Sequence, residues 1–224
     1  MIDFYFDVSS PWSYLAFRNL MPLAQELDVG INWRPVLVGG IFNTVNQRMY
    51  ASREDSNSPR NRYMVKDLQD FARQAEISIV FPPKVFPVNS VKAMRGCVWL
   101  LQGDATKDCL PSFVEALFAA YFTRQEDIST DAVLASICRQ AGINENAFAA
   151  NIVQPEIKNA LKANTDEAIS RGAFGVPSFF VGDDMYFGND RLGLLRLAVL
   201  KAKEMTESSP KADDVIQPPE GLTT

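Results

Sequence analysis

IDFYFDVSSPWS, residues 2–13, is the stretch that decides the fold class of this chain. Its first seven residues are rich in aromatics and lead into polar turn formers, which predicts a β-strand over 2–8. Ser9-Ser10-Pro11 follows. Serine caps helix N-termini and proline fits the first helical position, so a helix is predicted from Pro11. Leu15, Leu20, Leu23 and Leu27 recur at roughly helical spacing up to Gly30, with a kink or break expected at Pro22. Residues 31–38, INWRPVLV, predict a second strand. Strand, helix and strand in succession make a βαβ unit, whose crossover is expected to be right-handed.

Beyond this unit, residues 39–60 are polar and read as loop, and 62–76 return to helical periodicity through Met64, Leu68 and Phe71. Residues 77–86 are Pro-rich and extended. Residues 90–163 read as almost wholly helical, with segments expected at 91–101, 110–123 and 129–142 and shorter ones between 145 and 163. Strand character returns at 177–181, PSFFV. Gly182-Asp183-Asp184 turns the chain into 185–187, giving a hairpin. Gly188-Asn189-Asp190 opens a last helix over 191–206, and the Ser-, Pro- and Asp-rich tail from 207 is expected to fray. The order is βαβ, helical block, ββα. The expected fold is α/β, with one sheet shared by two distant pieces of chain and a large all-helical insertion between them. The division that follows is a discontinuous domain of residues 1–50 and 164–224, and a helical insertion of 51–163.

Composition narrows the chemistry. The chain has 224 residues, 47% of them hydrophobic, which is enough to bury a core without disulfides or metal. A net charge of -5 and a pI near 4.9 argue against a nucleic-acid partner, which needs concentrated Lys and Arg. The N-terminus carries no basic and apolar leader, and no apolar run approaches the ~20 residues of a membrane span. A cytoplasmic protein without a membrane partner is expected. Cys97, Cys109 and Cys138 are odd in number, lack C-x-x-C spacing and sit in helix-like surroundings, so reduced, buried thiols are expected. The chain has no histidine. That removes Ser-His-Asp and Cys-His machinery and His-containing metal sites, and no metal centre is expected.

Three loops remain as carriers of chemistry: Ser9-Ser10-Pro11-Trp12-Ser13, Phe174-Gly175-Val176-Pro177 and Gly188-Asn189-Asp190-Arg191. A strand, then x-P-x-x at a helix start, then a distant Val-Pro opening a hairpin, is the layout of thioredoxin-like proteins. Redox members carry C-P-x-C in the first loop. Here it reads S-P-W-S, with both sulfurs replaced by hydroxyls. With FYFDVSSPWSYLA, RYMVKDL, GAFGVPSFFV and MYFGNDRL, residues 2–206 resemble the 2-hydroxychromene-2-carboxylate isomerase family and its sister, the kappa-class glutathione transferases.

The resemblance implies a glutathione-dependent isomerase of aromatic-degradation intermediates. Its partner would be a small aromatic carboxylate or another electrophile. The alternatives are a transferase that consumes glutathione, a disulfide oxidoreductase relative, and a noncatalytic glutathione-binding protein. It also implies a homodimer. Ser10 is the expected catalytic residue. Serine is a poor nucleophile without a base, so its implied task is to donate a hydrogen bond to the glutathione sulfur and hold it as thiolate, helped by the helix dipole. A plain N-cap is the alternative reading of Ser10. The resemblance makes the Val176-Pro177 bond cis, with Val176 pairing the cysteinyl backbone of glutathione as a short added strand. Asn189 and Asp190 would contact its γ-glutamyl end. Asn46 is the preferred polar contact after the second strand, with Asn43 and Gln47 beside it. Trp12 completes the glutathione set and, with Tyr14, Phe42 and Phe86, is a choice for an aromatic substrate wall. Lys66, Arg60 or Arg62 would neutralise a carboxylate.

Overall fold

In the computed structural model, residues 1–48, 58–103 and 106–207 are described. Four strands form one sheet: β1 (Ile2–Phe6), β2 (Ile31–Pro35), β3 (Ser178–Val181) and β4 (Asp184–Phe187). Their order is β2-β1-β3-β4. β1 runs parallel to β2 and antiparallel to β3, and β3 is antiparallel to β4. The fold is thioredoxin-like, and the sheet joins the two ends of the chain as the sequence predicts.

Alternation along β1 explains why the strand is buried on both faces. Ile2, Phe4 and Phe6 pack with Phe179 into the main core beneath α1 (Pro11–Glu26). Tyr5 points the other way, into a smaller cluster with Val36, Ile41, Ala173, Val176 and Phe180. Register then places the loops. Phe6 pairs with Pro35, Tyr5 with Ser178, and Ser178 with Phe187. The segments after β1, after β2, before β3 and after β4 therefore emerge at one end of the sheet.

The reading of 39–60 as loop is corrected by α2 (Val38–Val45). Gly39 and Gly40 look like helix breakers in isolation. At Gly40 the requirement is tertiary: a Cβ there would lie 3.2 Å from Thr165 Cγ2. Thr165 belongs to α8 (Pro155–Ser170), and its Oγ1 accepts from the Leu37 N–H at 3.1 Å. The expectation for residues 49–57 lies outside the described residues. At Pro22 the helix does not break, because α1 runs on through it to Glu26.

The other helices are α3 (Pro59–Gln74), α4 (Val91–Gln102), α5 (Leu110–Phe118), α6 (Asp131–Gln140), α7 (Glu145–Asn151) and α9 (Leu192–Glu207). α5 continues as a π-helical turn over Ala119–Thr123. There Phe118 and Phe122 stack with Tyr14 of α1, at ring separations of 4.9 and 6.2 Å. One contiguous core thus runs from the sheet through α1 into the helical block. α8 crosses the expected 163/164 boundary and packs against α4, α2 and β2. Among the described residues no helix is long and apolar enough to cross a membrane.

Candidate active site at the start of the first helix

Ser10 is the N-cap of α1. Its backbone is extended (φ -98°, ψ 119°), and its Oγ accepts from the Ser13 N–H at 3.2 Å. Pro11 at the first helical position has no N–H to satisfy. The Trp12 N–H has no acceptor among the described residues. The other side of Ser10 faces the second loop: its hydroxyl donates to the Val176 carbonyl at 3.5 Å. That is well beyond the usual O–H···O range of ~2.5–3.0 Å, so the proton is weakly held. Ser10 keeps 9% of its surface. A loosely held O–H beside a free N–H at a helix N-terminus is a set of donors suited to an anion.

The three loops of the sequence reading are joined by hydrogen bonds. The Val176–Pro177 bond is cis. Ser178 Oγ donates to the Gly175 carbonyl at 2.9 Å. The Val176 N–H has no partner among the described residues. The third loop hangs on the second, because the Gly188 N–H donates to the Pro177 carbonyl at 3.0 Å. Gly188 has φ +100°, and a Cβ on it would lie 2.7 Å from Asp190 Oδ1, so only glycine suits this turn.

The remaining expected residues are found in different states. Asn189 is buried, with Oδ1 accepting from Asn19 Nδ2 at 2.8 Å. Asp190 is exposed and pairs with its neighbour Arg191 at 2.6 Å. Asn46 ends α2 and donates from Nδ2 to the Phe174 carbonyl at 3.0 Å, so it braces the second loop. Gln47 Nε2 donates to the Asn43 carbonyl. Trp12 is half-buried, edge-on to Phe71 of α3 at 6.2 Å. Tyr14 is core, stacked on Phe118. Phe42 is buried near Gly175, and Phe86 packs edge-on to Phe81. Arg60, Arg62 and Lys66 are exposed on α3, and Lys66 is paired with Asp70.

Sequence reasoning missed Asn19 and Asp7. The signal for Asp7 was a carboxylate inside the apolar run IDFYFDV. Asp7 is 1% exposed. Burial pushes its carboxyl above the ordinary value of 3.8, against hydrogen bonds from Ser9, Val38 and Ser90 that pull it down. The second hydroxyl of S-P-W-S also differs from the first. Ser13 is fully buried, and its Oγ has no hydrogen-bond partner.

Fold and site together define a thioredoxin-like protein in which hydroxyls stand at the two motif positions where redox relatives carry sulfur. More narrowly, the chain belongs to the DSBA-like thioredoxin domain family, whose model matches residues 1–199. It is 29% identical over 199 residues to a 2-hydroxychromene-2-carboxylate isomerase of Pseudomonas sp. (strain C18), covering 89% of this chain and 90% of that one. It is 26% identical over 209 residues to glutathione S-transferase kappa 1 of Homo sapiens, covering 87% and 88%. A solved structure of 2-hydroxychromene-2-carboxylate isomerase superposes with a TM-score of 0.74 at 26% identity, over 94% of this chain and 99% of that one.

Proposed function

We propose that this chain is a glutathione-dependent isomerase acting on 2-hydroxychromene-2-carboxylate-like compounds, with Ser10 stabilising the glutathione thiolate. The observation that carries the proposal is the Ser10 hydroxyl at the α1 N-cap, with its proton only loosely engaged by Val176. The residues present fit the tripeptide. An unpaired Val176 N–H can meet a peptide carbonyl, and the Trp12 N–H and Ser10 O–H can meet a sulfur anion. When bound, glutathione would supply a nucleophilic sulfur for reversible addition to a conjugated double bond, the chemistry of a cis–trans isomerisation that returns glutathione unchanged.

The chain's own contribution is electrostatic. An ordinary thiol near pKa 8.5 is only a few per cent ionised at pH 7. Lowering it by two units takes about 2.7 kcal/mol. A charge-assisted hydrogen bond of ~1.5–3 kcal/mol and ~0.5–1 kcal/mol from the helix terminus are of that size. Ser10 supplies the first and α1 the second. Asp190 attracts the γ-glutamyl ammonium group in exchange for Arg191. Asn189 is proposed on the same end through its amide hydrogens, since its Oδ1 is taken by Asn19. Asn46 acts on the tripeptide through the Phe174–Val176 segment that it braces. A homodimer in the cytoplasm belongs to the same proposal, and size-exclusion chromatography with light scattering reads the oligomer.

The test is turnover of a hydroxychromene carboxylate with glutathione measured in parallel. Isomerisation without glutathione loss is the expected result. Steady consumption of glutathione would instead favour conjugation, the activity in the name of the human relative. Ser10→Ala is expected to raise the midpoint of thiolate absorbance in the bound tripeptide and to cut turnover by about 10- to 1000-fold. An unchanged midpoint removes the role given to Ser10.

A further inference from the structure

One buried acid lies directly behind Ser10. Asp7 Oδ1 accepts from the Ser9 N–H and Oδ2 from the Val38 N–H, each at 2.9 Å, while the Asp7 backbone carbonyl accepts from the Ser10 N–H at 3.0 Å. Ser90 precedes α4, makes no side-chain cap bond there, and has its hydroxyl close enough to Asp7 to pull that carboxyl down against the effect of burial. The Val8 N–H is held by Met94 Sδ of the same helix at 3.4 Å. The donors at hydrogen-bond distance from the carboxylate are backbone N–H groups. Burying a charge in this way costs stability compared with an apolar side chain of similar size. Its return is geometric. One carboxylate fixes the turn that delivers Ser10 and also the first residue of α2, the helix whose far end braces Phe174 through Asn46.

We infer that Asp7 is the positioning residue of this site, setting the Ser10 hydroxyl and the Phe174–Val176 segment in a common register from beneath. The inference rests on the proposed role of Ser10 toward a thiolate. Asp7 touches neither sulfur nor substrate and acts through Ser9, Ser10 and Val38.

The experiment compares Ser10→Ala, Asp7→Asn and their double variant. The readouts are the thiolate titration of bound glutathione, glutathione affinity, kcat and KM, and the thermal transition. Asparagine keeps the size of Asp7 but has one acceptor oxygen, so one of the Ser9 and Val38 bonds is lost. The expected result is a folded Asp7→Asn protein with the bound-thiol midpoint raised by about one unit, kcat lowered about tenfold, and KM little changed. The double variant should show no higher midpoint than Ser10→Ala alone, because Asp7 acts through Ser10. A purely structural Asp7 would lower the thermal transition without moving the midpoint, or its effect would add to that of Ser10→Ala. Either outcome overturns the inference. If Asp7→Asn does not fold, Val38→Pro serves instead. It deletes one donor at a first helical position, where proline is favoured, and Leu37 before it is already extended. A midpoint unmoved in folded Val38→Pro overturns the inference equally. If Ser10→Ala itself leaves the midpoint unmoved, both the inference and the thiolate reading fail. If Ser10→Ala moves it and Asp7→Asn does not, only the inference fails.

Discussion

The sheet end and the helical block divide sulfur and hydroxyl between them. At the sheet end, the two motif positions carry Ser10 and Ser13. All three cysteines lie in the helical block: Cys97 on α4, Cys109 just before α5 and Cys138 on α6. Burial pushes the Cys97 thiol far up, with the Asp7 charge adding to it, and pushes Cys138 up to about 12. Two of the three thiols thus sit where burial opposes ionisation, and hydroxyls stand at the two motif positions at the sheet end. The two regions are also held differently. The sheet end is tied by hydrogen bonds between loops. The helical block is closed by rings, among them Phe113, Phe118, Trp99 and Phe148. At Gly96 a Cβ would run into Phe148, so that ring sits directly on the α4 backbone. A polar junction sets geometry, and an aromatic one sets stability.

The largest effect expected from this contrast is in the helical block. Phe118→Ala removes a fully buried ring that touches Tyr14 and Phe17 of α1 as well as Phe122. It should cost about 3–5 kcal/mol in urea denaturation, with glutathione affinity preserved in the remaining folded protein. Two separated transitions in the wild-type protein would break the picture of one shared core. Next comes thiol chemistry. With a disulfide reagent under native conditions, Cys97 and Cys138 should react far more slowly than in urea, and half-exposed Cys109 should react first. Rapid native labelling of Cys97 would return sulfur to the list of chemical actors.

A smaller effect concerns Asp7 and pH. Its folded-state pKa is raised above 3.8, so the native state holds that proton more tightly than the unfolded chain does. Its contribution to stability is therefore present at low pH and is lost as pH rises through the interval between 3.8 and the higher native value. The stability of the wild type relative to Asp7→Asn should fall across that window and then level off. The difference is the proper readout, because Asp127, lowered by hydrogen bonds from Ser129, contributes in the opposite direction. The smallest effect belongs to the second hydroxyl. Ser13→Ala removes a buried polar atom that has no partner, and should be neutral or stabilising by up to about 1 kcal/mol, with turnover within a few-fold of wild type. A large loss of turnover in Ser13→Ala would erase the distinction between the two serines.

Much of this was legible in the chain itself. The aromatic-rich run IDFYFDV, the Ser-Pro helix start and the PSFFV hairpin marked the segments of the sheet and its first helix, since strand composition and capping chemistry are local properties. The lack of histidine removed Ser-His-Asp and Cys-His machinery and the lack of C-P-x-C spoke against dithiol exchange, while the positive reading of the chemistry came from the family resemblance. Other features were decided by packing across the chain. VGGIFNTV is a helix that carries Gly40 where it passes close to Thr165, a residue 125 positions away in sequence. Asn189 is buried against Asn19, and Asn46 reaches the Phe174 carbonyl, because helix ends and loops meet only once the sheet is assembled. Asp7 looked like one more polar residue at a strand end. It became the shared acceptor for two loops only when register brought the ends of β1 and β2 side by side. Local sequence fixes what each segment prefers to be, whereas the partners of a buried polar group are chosen by whatever the fold places within about 3 Å of it.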